Sequence, residues 1–254
     1  MQKNIEFGSG KLHKIKPSSL IDKEGTIDKI DSFFLILALI YNDLKGLVCF
    51  DNFIRSHKPP DLKIVSGPVG EYMGFKLQIF KLVSSCVYEI MLLIEDNSLV
   101  ILSNRFLRYV SKLSGQDSYI WKLLLDIANK KGAGKQDQKN KEFRDLLVKI
   151  RNNVTFHYHQ SGKTLAIGFR NHFFKHGQEV ADSFNFAYYS LQQTNFYNNR
   201  FYYADAALEG YLNNCIGSID DKNKVGEIIY DLLAKISKVI AGLLEQYLKE
   251  KPMA

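Results

Sequence analysis

Apolar residues recur at the spacing of an α-helix over most of this chain, and few prolines interrupt them. From Ile27 to Val48 the apolar positions are separated by steps of three and four residues, which places them on one helical face. The same steps recur from Val225 to Leu243. The chain has 5 prolines in 254 residues, so long helices can form without the breaks that proline imposes. The pattern therefore predicts an all-α protein.

The predicted architecture is an antiparallel bundle of four to five long helices. We expect residues 1–25 to form an irregular N-terminal arm and residues 26–254 to form a single helical-bundle domain. Thr26 is the predicted N-cap of the first helix. Helical patterns cover 27–48, 69–95, 98–113, 118–130, 138–158, 202–214 and 225–243.

Residues 160–200 show a different pattern, which predicts a small extended or β-like insertion. Leu165, Ile167 and Phe169 alternate with small residues, and a period of two is typical of strands. Residues 184–203 also hold nine aromatic side chains together with Arg200. Exposed rings can stack on nucleic-acid bases, whereas buried rings pack the insertion against the bundle or a second copy. Packing is the favoured interpretation.

Positive charge is concentrated in two stretches of a chain whose formal net charge is +7. One covers residues 3–16, and the other covers residues 130–149 and leads towards Arg151. The second stretch either attracts a nucleic-acid backbone or is a solvated lysine-rich linker and helix face. On the first interpretation, the predicted RNA-binding residues are Lys141, Arg144 and Lys149.

Cysteine usage and hydropathy predict a cytoplasmic protein without membrane contact. Three cysteines lie scattered among apolar neighbours, which is typical of reduced core thiols. The N-terminus lacks the apolar core of a signal peptide, and the apolar run from Phe33 to Tyr41 is too short to cross a bilayer.

His172 and His176 lie four residues apart without an HExxH motif or a cysteine ligand. We therefore predict neither a metal site nor a cofactor.

The segment most directly linked to chemistry is RNNVTFH, residues 151–157, at the end of a predicted helix. It combines Arg151, a permanent cation, with His157, whose side chain readily exchanges protons near pH 7. Asn152 directly follows the arginine. A cation and a proton donor or acceptor suffice to cleave RNA without metal, because the 2′-hydroxyl of RNA is itself the nucleophile.

This motif on a helical bundle resembles the HEPN superfamily (higher eukaryotes and prokaryotes nucleotide-binding). The resemblance implies a metal-independent endoribonuclease that leaves 2′,3′-cyclic phosphate and 5′-hydroxyl ends. It also implies a homodimer with the two motifs in an interface cleft, and a role in toxin–antitoxin or phage defence with an antitoxin or other protein partner. Other members of the superfamily only bind RNA, nucleotides or proteins, and such a non-catalytic module is the alternative function.

Carried over to this chain, the resemblance assigns a role to each motif residue. His157 would act as general acid or base, Arg151 would bind the scissile phosphate, and Asn152 would orient the phosphate or the imidazole. Asn153 and Tyr158 are supporting residues, and Asn153 shares a helical face with His157. Residues six apart lie about 9 Å apart along a helix and about 120° apart around it. The helix must therefore end or kink near the Val154–Thr155 pair, or a dimer must complete the site.

A purely structural interpretation competes with this one. Arg151 would then pair with a core carboxylate, and His157 would be a hydrogen-bonded histidine at a helix end. Glu89 and Glu95 on the second helix are the candidate partners of Arg151. Glu89 is favoured because its apolar neighbours imply burial, and a buried carboxylate requires an ionic partner.

Overall fold

The computed structural model of the protein describes residues 15–21, 24–62, 66–128, 137–153, 161–179, 189–190, 200–217 and 219–252. It confirms the all-α helical bundle. The helices are α1 (Lys29–Ser56), α2 (Gly67–Asp96), α3 (Ser98–Ile101), α4 (Asn104–Ser111), α5 (Gly115–Ala128), α6 (Gln138–Asn153), α7 (Ser161–Phe173), α8 (Tyr202–Ile216) and α9 (Ile219–Leu248), with a 3-10 turn at Pro17–Ser19.

Helix α2 lies at the centre of the bundle, where it contacts α1, α5, α6, α8 and α9. Its apolar side chains are buried on several sides, as the sequence pattern predicts for a central helix. The predicted stripe on α9 also packs into the core, where Ile236, Val239 and Leu243 are fully buried. Packing of these apolar faces, rather than helix propensity, provides most of the stability of such helices.

Helix α1 begins two residues later than the sequence predicts. The N-cap is Asp28, whose carboxylate accepts a hydrogen bond of 2.9 Å from the Ile30 amide, so the Thr26 prediction is wrong. Both residue types cap helices well, and Asp28 has a second contact that the sequence does not reveal. Its carboxylate also pairs with Arg105 of α4 at 3.0 Å.

Aromatic rings join α1, α4 and α9 at one end of the bundle. Phe34 stacks on Tyr247 with a centroid distance of 4.1 Å, and Tyr109 meets Phe34 edge-on at 5.1 Å. The Tyr247 hydroxyl donates to Asp31 at 2.9 Å, and so does the Lys251 ammonium. Burial and this carboxylate raise the pKa of Tyr247, so the phenol remains a neutral donor at physiological pH.

The predicted extended insertion is partly wrong, because residues 161–173 form helix α7. Phe173 is buried at the C-terminal end of α7. The other buried positions are small residues, Thr164 and Gly168, on the helix face that packs against α8. A pattern of apolar residues does not reveal a helical face built from small residues. The alternation of Leu165, Ile167 and Phe169 therefore suggests a strand where the chain forms a helix.

Short antiparallel strands do follow α7, and they match the extended part of the prediction. They are β1 (Phe174–Lys175), β2 (Gln178–Glu179), β3 (Tyr189–Ser190) and β4 (Arg200–Phe201), paired β1–β2 and β3–β4. Residues 180–188 and 191–199, which include Phe184 and Phe186, lie outside the described residues.

The contact between α7 and α8 yields a stability prediction. A Cβ added at Gly168 would lie 1.8 Å from the Ala207 carbonyl oxygen, so we expect Gly168→Ala to destabilise the fold by about 1–3 kcal/mol. Gly162 is the matched control in the same helix, because a Cβ there meets no atom within 4 Å. We expect Gly162→Ala to be neutral or stabilising by up to about 1 kcal/mol. Urea unfolding followed by circular dichroism measures both, and equal stabilities would contradict the close packing.

Among the residues that the structure describes, two helices are long and apolar enough to cross a membrane by length and composition. In α1, 22% of the most apolar 18-residue window is buried, and in α2 the share is 44%. Core helices of soluble proteins and signal sequences pass the same test. The sequence-based expectation of a cytoplasmic protein without membrane contact therefore stays a prediction.

Candidate functional site

Arg151 lies in the last turn of α6, on the face that packs against α2. Its Nε atom is 3.4 Å from Oε1 of Glu89, and the guanidinium carbon is 6.0 Å from the ring centroid of Tyr88. The side chain is nevertheless 35% exposed. Two residues of α2 thus contact the guanidinium while part of the side chain stays open to solvent, and phosphate binding requires such access.

The asparagines beside Arg151 complete the end of α6. Asn152 is exposed, and its Oδ1 accepts a hydrogen bond of 3.3 Å from Arg151 Nη1. The Asn153 amide donates to the Lys149 carbonyl at 3.1 Å, which satisfies a backbone acceptor of the last turn. His157 and Tyr158 lie outside the described residues, as do the neighbouring Val154 and Thr155.

The prediction that Glu89 pairs with Arg151 is confirmed, but the reason given for it is wrong. The Glu89 side chain is 56% exposed rather than buried. Its sequence neighbours Val87 and Ile90 point into the core, whereas Glu89 points to the edge of α2. Apolar neighbours in sequence do not bury a helical residue, because consecutive side chains point about 100° apart. Pairs at this exposure contribute little to stability.

Arg144 was predicted to bind RNA, and the structure contradicts that role. It is 5% exposed, and its guanidinium lies 2.7 Å from the Glu95 carboxylate of α2. It also donates to the carbonyls of Ile127 and Ala128, at the C-terminal end of α5. Arg144 therefore joins three helices inside the bundle and does not reach a nucleic acid.

The exposed cations of α6 are interleaved with carboxylates. Lys141 and Lys149 are exposed, as the RNA-binding prediction requires. Asp137, Glu142 and Asp145 are also exposed on the same short segment. With Arg144 buried, the described part of α6 is only weakly positive, and the lysines at 130, 131 and 135 lie outside the described residues.

Cys86 lies close to the Arg151–Glu89 pair but has the wrong protonation state for a nucleophile. Burial, together with the Asp43 and Glu89 carboxylates, raises the pKa of Cys86 to about 11. The group is therefore a neutral thiol near pH 7, and the thiolate is the reactive form. Thiol chemistry at this site is not supported.

A cavity of about 540 Å³ lies near the opposite end of α2, between α2, α8 and α9. Gly74 at this cavity and Glu89 are fifteen residues apart, which corresponds to about 22 Å along the helix. The volume of the cavity lies within the range typical of small-molecule sites, about 300–1,000 Å³. The side chains that line it include Arg55, Met73, Lys76, Leu77, Phe80, Asp205, Glu209, Leu212, Glu227 and Tyr230.

The charged wall of this cavity is organised by Asp51, which sequence reasoning missed. Asp51 is buried and accepts from Lys76 at 2.6 Å and from Arg55 at 2.5 Å. Both cations lie over the ring of Tyr230, at 5.4 and 5.9 Å from its centroid. Among the described residues the Tyr230 hydroxyl has no hydrogen-bond partner, and burial raises its pKa.

The aromatic insertion contacts α2 where two glycines leave room. Tyr202 is buried against Gly70, and Arg200 occupies the space beside Gly74 while pairing with Asp205 at 2.6 Å. The interpretation that these aromatics pack is confirmed for Tyr202. The Gly70-x3-Gly74 spacing was the available sequence signal, since small residues four apart allow close approach on one helical face.

The described residues contain no cluster of three or more histidine, cysteine or acidic side chains that would hold a metal ion. Comparison with known proteins returns no family model, no curated protein and no solved structure that matches this chain.

Proposed function

We propose that the protein is a HEPN-like, metal-independent endoribonuclease with Arg151 and His157 at its centre. The observation that carries the proposal is the environment of Arg151, whose guanidinium contacts Glu89 and Tyr88 while its side chain remains 35% exposed. A guanidinium that only stabilised the core would be buried, as that of Arg144 is. The difference in solvent exposure thus suits phosphate binding by Arg151 and stabilisation of the core by Arg144.

The proposed reaction uses the 2′-hydroxyl of RNA as the nucleophile. The 2′-oxygen bonds to phosphorus as the bond between phosphorus and the 5′-oxygen breaks. His157 either takes the 2′-hydroxyl proton or protonates the leaving 5′-oxygen, water carries out the other proton transfer, and Arg151 stabilises the negative charge that builds up on the phosphate. Asn152 orients the phosphate or the imidazole by hydrogen bonding, and its contact with the Arg151 guanidinium supports a position beside the reacting groups. The products are a 2′,3′-cyclic phosphate and a 5′-hydroxyl. The exposed Lys141 and Lys149 attract the RNA backbone.

The wider setting proposed for this activity is a cytoplasmic toxin–antitoxin or phage-defence system. It rests on the resemblance of the RNNVTFH motif to the HEPN superfamily. In that setting the enzyme acts as a homodimer, and an antitoxin or other protein partner restrains it. No metal or cofactor takes part in the proposed reaction.

The proposal is tested by incubating purified protein with a labelled RNA oligonucleotide in EDTA. We expect cleavage of RNA but not of the same sequence made as DNA, because DNA lacks the 2′-hydroxyl nucleophile. The 2′-O-methyl RNA of that sequence is the matched control and should also stay intact. Intact RNA, or equal cleavage of RNA and DNA, would exclude the proposed chemistry.

The cavity beside Asp51 favours a second candidate function, a non-catalytic RNA- or nucleotide-binding module. Lys76 and Arg55 lie over the Tyr230 ring at the cavity wall, and Asp205, Glu209 and Glu227 also line the cavity. Two cations for a phosphate and carboxylates that accept hydrogen bonds from ribose hydroxyls or base amino groups together suit a nucleotide. The same incubation separates the two functions. Saturable, salt-sensitive binding of RNA or of a nucleotide without any product would select the binding module.

A further inference from the structure

Helix α1 has a second apolar face, on the side opposite the core. Leu35, Leu39, Phe50 and Phe53 are 39%, 61%, 38% and 47% exposed. Leu35 and Phe53 are eighteen residues apart, which is five full turns, and the other two side chains point within about 60° of them. We call these four residues the outer stripe of α1. Leu37 and Leu44 on the opposite face are buried.

A glycine in the middle of the outer stripe has no explanation within the described chain. Gly46 is exposed, and a Cβ built on it meets no atom within 4 Å. Gly70 and Gly168, in contrast, each accommodate a close neighbour in the bundle. Glycine inside a helix is unfavourable relative to alanine. A helical glycine has the benefit that another backbone can approach it closely. The exposed Gly46 therefore indicates contact with a second molecule.

The outer stripe is arranged symmetrically about position 44. Leu35 and Phe53 lie nine residues on either side of it, and Asn42 and Gly46 lie two residues on either side. Leu39 and Phe50 lie five and six residues away. In a twofold contact each position meets its mirror position on the other copy. Two antiparallel α1 helices would therefore place both leucines of the stripe against phenylalanines of the other copy, and Asn42 against Gly46.

We propose that the outer stripe is a homodimer interface formed by two antiparallel α1 helices that cross near Gly46. The second copy is the one named in the proposed function, and the contact between the copies depends on α1 alone and not on RNA. The stripe and the adjacent Ile36, 39% exposed, present roughly 350–400 Å² of apolar surface per copy. A standard interface buries about 800 Å² per partner, a little over half of it apolar. The available area is close to that requirement.

A second copy fits this face better than a lipid surface does. The centre of the stripe is polar, since the exposed Asn42 and Asp43 separate its two apolar ends. Helices that lie on membranes bury a continuous apolar face and carry lysine and arginine on their polar side. A polar centre opposite a glycine is instead accommodated by an antiparallel copy.

The register is tested by a charge pair measured with light scattering and sedimentation. We expect the wild type to have twice the 29.2 kDa chain mass. Leu39→Glu and Phe50→Lys should each raise the dimer dissociation constant at least tenfold. The double variant should dimerise at least tenfold more tightly than either single one, because each introduced carboxylate then faces an introduced ammonium group of the other copy. Leu107→Glu on α4, at a site 43% exposed, is the control and should stay dimeric.

Gly46→Leu provides an independent variant whose monomer has room for the new side chain. We expect it to retain its helical circular dichroism and to lose the dimer. A wild type with the mass of one chain, or a double variant no tighter than the single ones, would overturn the proposal. Variants that lose binding to anionic vesicles without a change in mass would also overturn it, and would assign the face to a lipid surface. Loss of RNA cleavage alone leaves the dimer mass unchanged, so the two proposals fail separately.

Discussion

We expect His157→Ala to cleave RNA in EDTA about 10²–10⁴-fold more slowly than the wild type, the range attributed to a general acid or base. The imidazole is the side chain of the motif that can both take and give a proton near pH 7. Single-turnover cleavage of a labelled oligonucleotide measures the chemical step apart from binding. His176→Asn is the control, because His176 lies at φ 53 in the β1–β2 turn and asparagine tolerates that conformation.

The Arg151→Lys variant examines the other half of the same site. Lysine keeps the charge but loses the planar fork that binds two phosphate oxygens, so we expect cleavage to fall about 10²–10³-fold. The fold should persist, because the Arg151–Glu89 pair lies at the surface, where its side chains are 35% and 56% exposed. Cleavage rates within twofold of the wild type for both variants would remove Arg151 and His157 from the mechanism.

The largest effect on stability is expected at Arg144. Arg144→Met leaves the Glu95 carboxylate, 13% exposed, without its cation and deprives the Ile127 and Ala128 carbonyls of a donor. Breaking such a buried pair costs about 3–5 kcal/mol. Urea unfolding followed by circular dichroism measures this loss. Lys141→Met is the matched control, since Lys141 is exposed on the same helix, and it should change stability by less than about 0.5 kcal/mol.

A double variant separates the structural role of Arg144 from an RNA-binding role. Replacing both partners, in Arg144→Met with Glu95→Leu, removes the unpaired buried charge and should recover most of the lost stability. If Arg144→Met kept its full stability and lost RNA binding instead, the assignment of Arg144 to the interior would be wrong.

The helices were predictable because their apolar periodicity follows from packing, and the α9 stripe packs as expected. Helix α7 was not predictable in this way, because two of its three buried positions are the small residues Thr164 and Gly168, and only Phe173 is a buried large apolar residue. The structure shows that close backbone approach to α8 determines this face. A hydrophobicity pattern contains no information about that contact.

At the candidate site, too, only part of the structure could be predicted from the sequence. Arg144 and Arg151 are seven residues apart and therefore share one face of α6, and they pair with Glu95 and Glu89 of the antiparallel α2. The sequence identifies one of these pairs but does not reveal which arginine is buried. That difference arises because the end of α5 covers Arg144, and this tertiary contact has no local sequence signal.

The chemistry of the RNA ends tests the central claim most directly. RNA fragments produced by the wild-type protein in EDTA should carry a 2′,3′-cyclic phosphate on one side of the cut and a 5′-hydroxyl on the other, as read by mass spectrometry. That result requires attack by the 2′-hydroxyl, the step assigned to His157 and Arg151. Fragments with a 3′-hydroxyl and a 5′-phosphate, or RNA that stays intact, would contradict the account.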